Sequence, residues 1–178
     1  YEFDAKLDAY GGLFDPKNPK FPDLDKSKED YYFDKGVKCY NQGDLSGAII
    51  NWSMTLTINP NEPNSYYSRA IVKDELYTWK SALKDYDKAI EIAPNFISAL
   101  TNRGSLKDNN GDLKGAIEDF NKVLSFEKVD LENKQRAHFN RGNSKFKMAD
   151  KIGACEDWKK AVELGADYAK VRLDEHCK

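Results

Sequence analysis

Residues 43–50 read GDLSGAII and residues 111–120 read GDLKGAIEDF, the same phrase written twice at a distance of 68 positions. Midway between them, YTWKSALKDY (77–86) puts Ala82, Leu83 and Tyr86 in the places of Ala116, Ile117 and Phe120, so the period is 34. A fourth copy, ADKIGACEDW, begins at Ala149. A fixed period of this size describes an array of like units, each in contact with its neighbours, rather than one spherical domain.

Aligned on the phrase, the units begin near Glu29, Pro63, Ile97 and Gln135. The last spacing is 38 because EKVDLENK (127–134) is read as a polar connection inserted before the fourth unit. Gly36, Ala70, Gly104 and Gly142 recur at one point of the first segment; Ala48, Ala82, Ala116 and Ala154 recur in the second. Four residues beyond that alanine come Trp52, Tyr86, Phe120 and Trp158, and three further on Thr55, Ala89, Val123 and Ala161. Spacings of four and three place these side chains on one helical face, where small residues let two helices approach and the aromatic fills the space beside them. QGD (42–44), NGD (110–112) and MAD (148–150) are read as turns, with glycine supplying the permissive backbone and the aspartates capping the next helix. Pro60 and Pro94 end the second helices of the first two units. A second stripe, Ile49/Leu56, Leu83/Ile90 and Ile117/Leu124, is predicted to pack against the following unit, with Cys155 and Val162 in the same places of the fourth.

This pattern resembles the tetratricopeptide repeat family, from Glu29 to about Ala166. Lys73, Lys107 and Lys145 stand where the family has tyrosine, and Lys128 and Ala166 replace the terminal proline. The resemblance implies an all-α, right-handed superhelical solenoid of helix-turn-helix repeats at 29–62, 63–96, 97–134 and 135–166. An extension (1–28) precedes them, and a C-terminal capping helix (167–178) follows, with Ala169, Leu173 and Cys177 on one stripe. The extension has three of the six prolines, yet also Tyr1, Phe3, Tyr10, Leu13, Phe14, Phe21 and Leu24. It is expected to cap the first unit, with occupation of the groove as the alternative.

In this family the first helices line a concave surface that receives peptides or protein partners. By that register the binding residues here are Phe33, Val37 and Tyr40 in the first unit and Tyr67, Ile71 and Asp74 in the second. The third contributes Asn102 and Asp108, the fourth Phe139, Asn140 and Asn143, with Ser98, Thr101, Ser105, Arg136 and Phe146 nearby. The aromatics offer apolar surface and the amides can bond an extended backbone, although Phe33, Tyr40 and Tyr67 can equally be packing residues. The clamp with which co-chaperones of the family hold a C-terminal carboxylate needs a lysine and, four residues on, an asparagine where this chain has Phe33 and Val37, and basic residues where it has Ser98 and Asn102, so it is not expected.

A net charge of −2 gives no basis for nucleic-acid binding, and no apolar run approaches the roughly 20 residues that span a bilayer. His138 and His176 lack companions for a metal site or a catalytic set, DNNGD (108–112) has the wrong spacing for a calcium loop, and NWS (51–53) lies within a helix. No enzyme, cofactor or metal is therefore expected. The function is read as a protein-interaction or scaffold module, with a regulatory fragment of a larger enzyme or a structural spacer in a cell-envelope assembly left open. Starting at Tyr1 without a leader, the chain is read as a mature form or an excised segment.

Cys39 is predicted to pack as a small hydrophobe, whereas the register aims Cys155 and Cys177 at each other, either as a disulfide or as two unpaired thiols packed side by side in a cytoplasmic protein; the similarity of GACEDWKKAVELG and the final HCK to tetratricopeptide proteins that some bacteria export favours the bridge. A bridge there encloses 23 residues and contributes about 3 kcal/mol on the chain-entropy estimate. It favours a periplasmic or secreted location over a cytoplasmic one. Denatured but unreduced protein is expected to yield one reactive thiol in a colorimetric assay; three would remove both the bridge and the location.

Overall fold

The computed structural model describes residues 26–177; the expectation for the N-terminal extension falls largely on residues 1–25, outside the described ones. A short 3-10 turn (Lys26–Lys28) leads into nine α-helices, and the described residues contain no strand. They are α1 (Glu29–Asn41), α2 (Leu45–Ile58), α3 (Pro63–Glu75), α4 (Trp79–Ile92), α5 (Ile97–Asn109), α6 (Leu113–Ser125), α7 (Leu131–Lys147), α8 (Lys151–Glu163) and α9 (Tyr168–His176). The helices pack as the pairs α1/α2, α3/α4, α5/α6 and α7/α8, with α9 against α8. The chain divides into two compact units, one ending at Pro94 and holding the first two pairs, the other holding the last two and α9.

The pairing follows from the face that the sequence predicts. Ala48, Ala82, Ala116 and Ala154 are wholly buried, and so to within 2% are Trp52, Tyr86, Phe120 and Trp158. The aromatic rings lie directly on the facing helix: a Cβ on Gly104 would stand 2.8 Å from the Phe120 ring, and one on Gly142 2.7 Å from Trp158. Glycine is needed there because a methyl group has no room. The helix ends obey equally local chemistry. Asp44, Asp112 and Asp150 accept hydrogen bonds from the backbone N–H of Gly47, Gly115 and Gly153 at 2.8–3.0 Å, satisfying donors that a first turn leaves open. Asn59 and Ala93, each preceding a proline, close α2 and α4 with ψ of 93° and 85°, outside the helical region.

Two sequence expectations need correction. Glycine is expected from the sequence to supply the permissive backbone of the turns QGD, NGD and MAD: Gly43 and Gly111 adopt φ of 76° and 87°, but Ala149 of MAD holds the same left-handed conformation at 65°, as does Tyr77, in a turn that carries no glycine, at 58°. The turn geometry is thus imposed by the helices it joins, at a backbone cost of about 1–2 kcal/mol for a non-glycine residue. The segment 127–134 is not wholly a connection either. Asp130 caps the backbone N–H of Asn133 at 2.8 Å, so 131–134 form an extra first turn of α7, which runs 17 residues.

A buried ion cluster repeats with the same period. Asp85, Asp119 and Asp157 are 3–5% exposed, and each receives the Nε of an arginine of the preceding helix, Arg69, Arg103 or Arg141, at 2.8–2.9 Å. Nη2 of the same arginine makes the second bond of a bidentate pair. Lys73, Lys107 and Lys145, one helical turn beyond the arginines, reach the same carboxylates at 2.8–2.9 Å. Arg69 also donates to Ser53 Oγ of the helix before it at 2.8 Å, and Arg141 to Asn121 Oδ1 of the helix before it at 2.6 Å. The first pair has no such cluster: Lys35, Cys39 and Asn51 occupy those places, and Asn51 bonds the carbonyl of Gly47 at 2.7 Å, with its amide 3.8 Å from Cys39 Sγ. Cys39 is therefore half-buried rather than enclosed, packed against Ala48, Ile49, Trp52 and Val72.

Burial alone would raise the Asp85 carboxyl pKa; the charge and hydrogen bonds of Arg69 and Lys73 reverse that and hold it below its ordinary value. Asp157 is likewise driven well below the carboxylate range, as bonds from His138, Arg141 and Lys145 outweigh burial. An Asp85→Asn or Asp157→Asn variant is expected to lose about 3–5 kcal/mol of unfolding free energy in urea titrations, because buried cations are left without their counter-charge. Since the folded pKa values are depressed, this stabilisation is complete above the unfolded value of about 3.9 and is lost as pH falls through the folded one. The wild-type urea midpoint should drop steeply below about pH 4, and part of that drop should be missing from the variants.

Candidate functional site

In the first unit the predicted residues lie along α1 and α3. Val37 and Tyr40 are each 36% exposed, while Phe33, Tyr67, Ile71 and Asp74 are half-buried. Phe33 packs on the Ala48, Ile49 and Trp52 cluster, so it serves the core as well as the surface. Tyr40 leans on Trp52, ring centres 6.3 Å apart, and donates its phenolic hydrogen bond to Glu75 at 2.7 Å. Tyr67 lies over Tyr86 at 6.2 Å. That hydrogen bond to Glu75, with burial and the Glu75 charge adding to it, raises the Tyr40 phenol above its usual pKa. Burial raises the Asp74 carboxyl, helped by the charge of Glu75.

In the second unit α5 and α7 bring polar groups together. Arg136 donates to Asn102 Oδ1 at 2.8 Å, Asn140 to Ser105 Oγ at 3.1 Å, and Ser144 to Asp108 Oδ1 at 2.7 Å. Lys147 pairs with the other oxygen of Asp108. Asn143 accepts the indole N–H of Trp158 at 3.1 Å. These residues border a cleft of about 310 Å³, lined by Ser105, Asp108, Asn140, Asn143, Phe146 and Trp158, with Lys147 and Arg172 at its sides. Asn102 and Phe139 do not line it. Phe139 supports α9, packed on Ala161, Ala166 and Ala169, its ring edge-on to Tyr168 at 4.9 Å.

The C-terminal helix contributes more to this site than its sequence indicates. Cys155 and Cys177 form a disulfide, Cα atoms 5.7 Å apart, which ties the end of α9 to α8. His176, read as an isolated histidine, stacks on Phe146 at 4.5 Å and faces Trp158 at 5.8 Å. Arg172 reaches the cleft from the same helix. No sequence signal marks Arg172, because α9 stands outside the repeat and has no copy to align it with. The clusters at Asp85, Asp119 and Asp157 could have been found: the alignment that gives the period also superposes Arg69, Arg103 and Arg141.

If the Tyr40 bond orders the α1–α3 face, ζ-carbon NMR of labelled tyrosines should show Tyr40 titrating above the usual value of about 10 and moving back toward it in Glu75→Gln.

Comparison with known proteins agrees with this geometry. A tetratricopeptide repeat family model matches residues 97–130. No curated protein matches the sequence significantly. Among solved structures, Pseudomonas aeruginosa PilF superposes with a TM-score of 0.69 at 20% identity, covering 78% of this chain and 61% of that one. MamA from Desulfovibrio magneticus gives 0.70 at 20% identity, covering 84% and 87%. The first repeat domain of Spaghetti (RPAP3), bound to an HSP90 peptide, gives 0.63 at 22% identity, covering 70% and 96%. The chain spans about 61% of the length of the PilF structure, and identities of this order speak for the fold alone. A tetratricopeptide repeat is thus matched at residues 97–130, and the helix pairs before and after it share the fold of tetratricopeptide repeat structures.

Proposed function

We propose that the chain is a non-enzymatic protein-interaction module that binds an extended segment of a partner at the cleft between α5 and α7. The observation that carries this reading is the cleft itself: amide and hydroxyl groups of Ser105, Asn140 and Asn143 border a concavity walled by the half-buried ring of Phe146, with the edge of the buried Trp158 behind it. Amides supply donors and acceptors for a peptide backbone, while aromatic walls take a side chain. The α1–α3 face, with Val37, Tyr40, Tyr67 and Ile71, offers a more apolar surface to the same or a second partner. The peptide bound to the Spaghetti (RPAP3) domain supports the general mode, though the cation positions of a tail clamp hold Phe33, Ser98 and Asn102 here, and its asparagine position holds Val37. The Cys155–Cys177 disulfide supports a periplasmic or secreted setting, where such bonds persist.

Affinity capture by the unreduced chain, quantified by mass spectrometry, tests the reading against a Ser105→Ala, Asn140→Ala double variant. A partner recovered at least about fivefold less by the variant, with unchanged thermal melting, is the expected result; a loss of 1 kcal/mol already gives that factor. Equal recovery by both proteins would move the interface away from the cleft.

A further inference from the structure

One charge in the α5–α7 cleft is not used by the fold. Asp108 is taken up by Ser144 and Lys147, so that acid and that lysine cancel. Arg172 enters from α9 and makes no hydrogen bond or ion pair with another described residue. The cleft therefore holds one uncompensated guanidinium, beside the amides of Asn140 and Asn143 and the rings of Phe146 and Trp158. A guanidinium offers a planar fork of donors that matches a carboxylate, and the pair strengthens where neighbouring surface excludes water. A single positive charge is balanced by one carboxylate, whereas a phosphate group brings about −1.5 to −2.

Arg172 is in place only because α9 is. That helix has nine residues and one buried side chain, Ala169, near its start; an isolated helix so short does not persist in water. Its far end is held by His176 on Phe146 and by the disulfide at Cys177. A dithiol reductant opens the bridge by giving it two electrons and two protons, leaving two thiols on the protein and a disulfide in the reductant. The end of α9 that carries Arg172 then loses its covalent tie.

We propose that Arg172 reads an acidic side chain in the segment bound at this cleft, and that the Cys155–Cys177 disulfide keeps it positioned to do so. The proposal rests on the cleft reading above and adds the ligand's chemistry and a redox dependence. Its cation comes from the C-terminal helix, outside the first-helix positions of a tail clamp.

Heptapeptides from a random phage-displayed library, selected on the unreduced chain and remade as fluorescent conjugates, provide the test by fluorescence polarisation. The recovered peptides are expected to share an Asp or Glu at one position. Changing it to the amide should weaken binding about tenfold or more. Arg172→Gln should lose the same factor and no longer distinguish acid from amide. Reduction, or a Cys155→Ser, Cys177→Ser variant, should weaken acidic peptides similarly while circular dichroism retains the helices of α1–α8. Peptides that depend on Asn140 but share no acid, or that bind Arg172→Gln undiminished, overturn the acidic reading and leave the cleft reading standing. Undiminished binding after the bridge is opened overturns the role of the disulfide. If no selected peptide is weakened by Ser105→Ala, Asn140→Ala, the cleft reading fails and this proposal with it.

Discussion

A carboxylate buried between two helices is the constraint around which three of the four repeats are arranged. Asp85, Asp119 and Asp157 are desolvated, and an uncompensated charge there would be costly enough to prevent the packing. A forked arginine and a lysine one turn apart on the partner helix meet both carboxylate oxygens. The demand for that geometry sets the rotation and register of one helix against the other. Apolar contact is tolerant of small rotations; a bidentate pair is not. Because Arg69 and Arg141 each spend a further donor on the preceding helix, at Ser53 and Asn121, the same side chain joins one repeat to the next within each unit.

The small-residue and aromatic packing works beside this polar clamp. Gly104 and Gly142 admit the Phe120 and Trp158 rings to within contact distance of the facing backbone, and the ion cluster determines which way the helices then face. The consequence for the site is direct. With the first and second helices of a repeat locked, the outer faces of α5 and α7 take fixed positions, and Ser105, Asp108, Asn140 and Ser144 meet side by side. Trp158 illustrates the coupling: its ring fills the core against Gly142 while its N–H is given to Asn143 at the cleft. The first repeat, with Asn51 and Cys39 in place of the charges, achieves its pairing without ions. The acid is thus not a requirement of the helix pair itself; it is a specificity device of the following three.

The C-terminal helix joins fold and site. Ala169 and Leu173 lie on one stripe of it, the bridge closes its end, and the helix thereby sets His176 against Phe146 and brings Arg172 to the cleft. A cap that only hid apolar surface would have no need to place a cation there.

The amino-acid sequence by itself determined the period, the helix pairs, the buried alanines and aromatics and the aspartate caps, because each depends on spacing along one helix or on repetition down the chain. Interactions of that kind are local, and four copies make them legible. Tertiary structure alone decided that Ala149 and Tyr77 take a glycine's conformation, that 131–134 extend α7, and that Phe139 supports the cap while Arg172 enters the cleft. Those outcomes depend on where a neighbouring helix lies in space, and a side chain that appears once in a sequence carries no repeated spacing from which that position can be read.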